Sequence, residues 1–186
     1  MDKMIGAAFD SVLSDAQAGD EAAFVCLFHD IQPALLRYLH VIARDAADDV
    51  ASETWLQVIA GLGRFRGGEL AFRGWLFTIA RHRAIDCGRW RARRPAVNLA
   101  PSGAEEPLAP DAADEVIERI SAQAVLALIS TLPRDQAEII LLRVVAGLDA
   151  LAVARMVGKS PGAVRVAAHR GLRRLATVVD RAGVMP

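Results

Sequence analysis

The chain has 186 residues, room for one domain or two small ones, and its 22 basic and 22 acidic side chains leave no formal net charge. A hydrophobic fraction of 53%, rich in Ala, Leu and Val with few period-two stretches, points to an all-α protein with packed cores. Cys26 and Cys87 sit in separate helical patterns, with no CxxC and no histidine cluster, which argues against a metal site or a disulfide framework and for two buried thiols in a reducing cytoplasm. The opening MDKMIGAAFDSV carries Asp2 and Asp10 and does not read as a signal peptide, and apolar stretches such as AEIILLRVVAGL are too short and too charged to span a bilayer. The expectation is a soluble cytoplasmic protein.

Asp20 follows Gly19 and is placed to cap a helix that continues through FVCLFHDI. Pro33 is expected to kink or restart that helix before LLRYLHVIA, and Asp45 to cap the next one, which ends near Gly61 and Gly63. Projected at roughly 100° per residue, this next helix places Ala47, Ala51, Thr54, Trp55, Val58, Ile59 and Leu62 on one side as a core stripe. The opposite side carries Asp49, Glu53 and Gln57 in i, i+4, i+8 register, with Ser52 and Leu56 beside them. Like charges at i, i+4 cost a few tenths of a kcal/mol. An acidic rail around an exposed leucine suits a basic protein partner better than DNA; taken alone, it fits a solvated face equally. A metal reading of Asp48, Asp49 and Glu53 lacks the Glu-x-x-His helix that would complete the ligands. An enzyme site near His29, Asp30 and His40 lacks a nucleophile and a ligand set.

The loop GLGRFRGGEL leads into WLFTIARHRAIDCGRWRARR, residues 75–94. That helix opens on an apolar face of Trp75, Leu76, Ile79 and Ala80. It then carries Arg81, Arg83, Arg89, Arg91, Arg93 and Arg94 against the single acid Asp86. Such clustering in a neutral chain fits phosphate binding, and Trp90 adds a ring on which an unpaired base can stack. A solvated basic helix end fits the isolated run as well. Residues 95–113 hold Pro95, Pro101, Pro107 and Pro110 with Ser102 and Gly103, and read as a linker. Acids gather there and just beyond: Glu105, Glu106, Asp111, Asp114, Glu115 and Glu118.

Beyond the linker, Pro133 suits the first turn of a helix that runs to Val145 and stops at Gly147. Asp149 caps a short helix through Met156, Gly158 supplies a turn, and Ser160 with Pro161 starts the last helix. This is the pattern of a helix-turn-helix. In the last helix Val164, Ala167, Ala168, Gly171, Leu172 and Leu175 form the expected buried arc. Arg165, Val166, His169, Arg170, Arg173 and Arg174 form the other half. Arg165 and His169, nearest the helix start, are placed for base edges in a major groove; Arg173 and Arg174 suit phosphates.

Together these motifs resemble a bacterial RNA polymerase sigma factor of the extracytoplasmic-function (ECF, group IV) type, of the sigma-70 family, over nearly the whole chain. DDVASETWLQV resembles the polymerase-binding helix, WLFTIARHRAIDCGRWRARR the promoter-melting and minus-10-reading helix, and LPRDQAEIILLRVVAGLDALAVARMVGKSPGAVRVAAHRGLRRL the minus-35-reading domain. The resemblance implies that Asp48, Asp49, Ser52, Glu53, Leu56 and Gln57 dock on the basic coiled coil of the polymerase's largest subunit. For the minus-10 element it implies Arg64, Phe65 and Arg66, in a loop to Leu70 that walls the pocket of a flipped base. It adds Arg81, His82, Asp86, Arg89, Trp90, Arg93 and Arg94, with His82 and Asp86 facing unstacked nontemplate bases. For the minus-35 element it implies Lys159, Ser160, Gly162, Ala163, Arg165, Val166, His169, Arg170 and Arg173. The acidic linker would lie along the polymerase's positively charged channels. The chain departs from the family pattern at Ser52, where Gln is common, and at His82, where Asn is common. It departs again at Val166 and Ala167, where the recognition helix commonly carries Ser-Arg.

The resulting expectation is two small helical domains, 1–94 and 114–186, joined by a flexible acidic linker at 95–113, the second holding the helix-turn-helix. Implied partners are core RNA polymerase, through its largest-subunit coiled coil and flap region, and promoter DNA, both duplex and unpaired nontemplate strand. The family association with anti-sigma factors adds a further candidate partner. No catalytic residue, metal, cofactor or membrane is implied. The alternative is a helix-turn-helix regulator that acts without polymerase docking.

Overall fold

The computed structural model describes residues 6–93 and 123–181, and every regular element among them is helical. The linker read at 95–113, its flanks and Arg94 lie outside the described residues. Four helices build the first half: α1 (Phe9–Gln17), α2 (Glu21–Ile42), α3 (Ala47–Leu62) and α4 (Glu69–Arg93). Four more build the second: α5 (123–130), α6 (Arg134–Ile140), α7 (Ala150–Val157) and α8 (Pro161–Arg181). A π-helical turn, Leu141–Val145, continues α6 to its end.

Side-chain caps account for three of the helix starts. The Asp20 carboxylate accepts from the Ala23 N–H at 3.0 Å, Asp149 from Ala152 at 2.7 Å and the Ser160 hydroxyl from Ala163 at 3.1 Å. Gly158 closes α7 with φ +69°, a left-handed conformation that glycine adopts without a Cβ penalty. The restart expected at Pro33 and the cap expected from Asp45 are not found. α2 runs unbroken through Pro33. The proline forfeits one backbone bond, and buried Leu27, Ile31, Leu35 and Leu39 along one side of α2 offset that loss. Asp45 lies in a 3-10 turn, Arg44–Ala46, and α3 starts without a side-chain cap. The start of α6 also shifts by one residue: Pro133 flanks α6 as its N-cap residue instead of entering its first turn.

The α3 stripe is correct for Ala47, Ala51, Thr54, Trp55, Val58 and Leu62, which are buried together with Val50. Ile59 is exposed, because α2 and α4 both pack on α3 and draw its buried arc toward Val50. In α8, Val164 and Gly171 are buried as expected, but Leu172 is half exposed. A Cβ at Gly171 would sit 2.5 Å from Ile140 Cδ1, so the absence of a side chain there lets α8 lie close on α6. The expected burial of the thiols is also corrected: Cys26 is exposed and Cys87 only partly covered.

The two halves share one continuous core. Their contact is polar at its centre. Glu138 of α6, 9% exposed, accepts from the Tyr38 hydroxyl of α2 at 3.2 Å and from Arg81 Nε of α4 at 2.9 Å. Buried Arg73 of α4 donates to the Ala146 carbonyl at 3.1 Å and pairs with Asp30 of α2 at 3.2 Å. A buried charge without a partner is strongly destabilising, so the four charged side chains, Glu138 with Arg81 and Arg73 with Asp30, stand or fall as pairs. Burial, then the charge of Glu138 and its hydrogen bond, push the Tyr38 hydroxyl well above the usual tyrosine range.

Candidate nucleic-acid interface

Three surfaces carry the residues singled out in the sequence, and they differ in how free those residues are. On α3, Asp48, Asp49, Ser52, Glu53, Leu56 and Gln57 are all exposed, and Leu56 is 67% exposed. This outward face is braced from the side. Arg83 of α4 donates to Gln57 Oε1 through Nε and Nη2 at 3.1 and 3.0 Å, and its Nη1 lies 3.9 Å from Glu53. The brace joins the acidic rail to the basic helix, and periodicity alone did not show it, because the two positions belong to different helices.

The loop after α3 is held rather than open. Gln17 of α1 donates to the carbonyls of Leu62 and Phe65 at 2.8 and 2.9 Å. Phe65 stacks on Trp75 with ring centroids 5.1 Å apart and meets Phe72 edge-on at 5.3 Å. Arg66 folds back to donate to the carbonyls of Gly63 and Phe65 at 3.0 and 2.6 Å. Arg64 alone of the three loop residues makes no such contact and is exposed. Leu70 belongs to the first turn of α4, so the loop ends before it.

On α4 the basic residues divide along the helix. Near the middle, Arg81 is half-buried on Glu138. One residue on, His82 faces solvent, as does Asp86 one turn later. Asp86 lies 3.9 Å from Arg89, with both side chains about seven-tenths exposed. Such an exposed pair contributes ~0–1 kcal/mol and exchanges readily for another partner. Arg89, Trp90 and Arg91 are exposed; the Arg93 side chain and Arg94 lie outside the described residues.

On α8 the outward half is open. Arg165, Val166, His169, Arg170 and Arg173 are exposed, and none of these cations is in an ion pair among the described residues. Arg174 donates to Gln136 at 3.2 Å. Gly162 and Ala163 are exposed beside them. Two expected contacts are otherwise engaged: Lys159 pairs with Asp135 at 2.6 Å, and the Ser160 hydroxyl caps the helix. Among the described residues no group of His, Cys, Asp or Glu is arranged to hold a metal ion, and no helix is long and apolar enough to cross a membrane.

The family model "Sigma-70 region 2" matches residues 27–95, and "Sigma-70, region 4" matches residues 122–175. The chain is 38% identical to the ECF RNA polymerase sigma factor SigD of Mycobacterium tuberculosis over 191 aligned positions, covering 97% of this chain and 88% of that protein. It is 36% identical to the ECF RNA polymerase sigma factor ShbA of Streptomyces griseus, covering 89% of this chain and 92% of that one. Its fold is similar to that of the sigma factor RpoE solved in complex with the anti-sigma factor NepR from Bartonella quintana. The TM-score is 0.62 and the identity 24%, over 84% of this chain and 96% of the other.

Proposed function

The chain belongs to the ECF group of RNA polymerase sigma factors, and from that premise we infer how its three surfaces divide the work of starting transcription. α3 docks on core polymerase through Asp49, Glu53 and Leu56, meeting the basic coiled coil of the largest subunit. α4 reads the opened minus-10 element, with His82, Asp86 and Trp90 placed toward unpaired bases and Arg89 and Arg91 toward phosphates. α8 reads the minus-35 element in duplex form, with Arg165 and His169 at base edges and Arg170 and Arg173 on phosphates. The units that carry these roles are 1–94 and 114–186, with 95–113 as tether. Capture of unpaired bases, ~1–3 kcal/mol per stacked base, supplies the drive for opening. The phosphodiester chemistry belongs to the polymerase, and the chain works in the cytoplasm, without cofactor.

Leu56 carries the reading. A leucine 67% exposed and flanked by two carboxylates has no use in a regulator that only binds duplex DNA, and it suits an apolar contact ringed by complementary charge. Run-off transcription with core polymerase tests it. Asp49→Arg with Glu53→Arg is expected to lower promoter-specific transcription ~100-fold or more, as loss of an interface hot spot does. Leu56→Asp, which leaves the Glu53–Arg83 contact in place, is expected to do the same while the thermal transition stays where it was. Full transcription by both variants would return the chain to the duplex-binding regulator class.

A further inference from the structure

The recognition face of α8 carries one residue that neither stability nor charge explains. Val166 is 49% exposed on the outward half of the helix, one residue from exposed Arg165. The core contact of this turn is made by Val164, which is fully buried. A β-branched residue is also a poorer helix former than the polar residues that usually face water.

The surroundings narrow what this valine can do. Ser160 spends its hydroxyl on the Ala163 N–H, and Lys159, paired with Asp135 at the surface, precedes the helix. One turn before Val166, Gly162 and Ala163 are exposed and carry nothing longer than a methyl group. The first two turns of α8 therefore offer a groove one free guanidinium, Arg165, beside an apolar surface centred on Val166. In the major groove the methyl group within reach of a side chain is the C5-methyl of thymine, which guanine, adenine and cytosine lack.

We propose that Val166 is a specificity-determining residue that reads a thymine methyl in the minus-35 element, next to the base pair contacted by Arg165. This rests on the assignment of α8 as the minus-35 reader. The branched side chain has one strongly preferred rotamer in a helix, so its two methyls are held in place before DNA arrives.

The experiment starts from the full chain with core polymerase and a promoter library randomised through the minus-35 element. Each thymine of the selected element, on either strand, is then replaced by deoxyuridine, which removes the methyl and leaves every hydrogen-bonding group. One such replacement is expected to lower initiation by about fourfold, the worth of roughly one buried methyl group. In Val166→Ala that penalty is expected to fall below about twofold, while Arg165→Ala keeps it, since the guanidinium does not touch the methyl. Val166 lies outside the core, so Val166→Ala should melt as the parent does. Deoxyuridine tolerated at every thymine, or a penalty unchanged in Val166→Ala, overturns the proposal while leaving α8 as the reader. A library that returns no minus-35 preference removes α8's assignment and this proposal with it.

Discussion

α4 and α8 are the two arginine-rich helices of the molecule, and they use arginine in opposite ways. α4 runs through the middle of the fold with α2 and α3 against it and the second half resting on its flank. Its arginines meet acids on each of those neighbours: Arg73 with Asp30 of α2, Arg83 with Glu53 of α3, Arg81 with Glu138 of α6. α8 packs chiefly on α6 and α7, and Arg165, Arg170 and Arg173 meet no acid among the described residues. A count of positive charge therefore says little about how much of it is available. An arginine at 19% exposure against a carboxylate at 11% has already lost much of its water, and giving it to a phosphate would strand Glu138. The same residue type seven-tenths exposed beside Asp86 gives up little. The base of α4 is thus structural, while His82, Asp86, Arg89 and Arg91 toward its tip are exposed, as are Arg165, Val166, His169, Arg170 and Arg173 on α8.

Arg165→Ala tests the open helix most severely. Initiation at the preferred minus-35 sequence is expected to fall by ~1–3 kcal/mol, roughly 5–150-fold, with relaxed preference at one base pair. A loss of equal size on every minus-35 sequence would reduce Arg165 to a phosphate contact. At the tip of α4, His82→Ala is expected to lower initiation several-fold on duplex templates, within the ~1–3 kcal/mol of one base contact, and to be rescued on templates with an unpaired minus-10 element. Equal defects on both templates would move His82 out of base capture.

The contrast between tied and free arginines is read most directly from salt. For binding of the chain to duplex DNA, Arg173→Ala is expected to reduce the slope of log affinity against log salt by about one, and Arg81→Ala to leave it unchanged. Equal reductions would mean that Arg81 leaves Glu138 when DNA binds.

The smallest effect is on pH dependence, and it reports the join between the halves. The folded pKa of Tyr38 is raised, so its protonated form is favoured in the folded chain. The stability this gives is complete below the unfolded value of ~10 and is lost as pH climbs past it toward the folded value. Tyr38 is the single tyrosine of the chain, so tyrosinate absorbance reports it alone. A unit above pH ~10 the absorbance is expected to stay low while the helical circular dichroism persists, and to rise together with unfolding. Normal titration near pH ~10 with full helicity would show the two halves apart in solution.

The helix-turn-helix and the outward face of α3 were legible because their signals are local. A cap, a turn glycine and a helical period act within a few residues, and Asp149, Gly158, Ser160 and the Asp49–Glu53 register sit where such signals put them. Local signals failed where a neighbour outweighed them. Pro33 did not break α2, since the helix is held from the side along its length, and Ile59 fell outside the buried arc that α2 and α4 define together.

From the sequence by itself came the all-α class, the segregation of charge into one acidic and two basic surfaces, and the family. Only the tertiary structure decided which of those charges are spent. Tyr38 and Glu138 are 100 residues apart along the chain, and Arg81 and Glu138 are 57 apart. No period or motif spans such distances. Pairing across them depends on which helix faces come to lie together, and the apolar core sets that, because burying it outweighs any single ion pair.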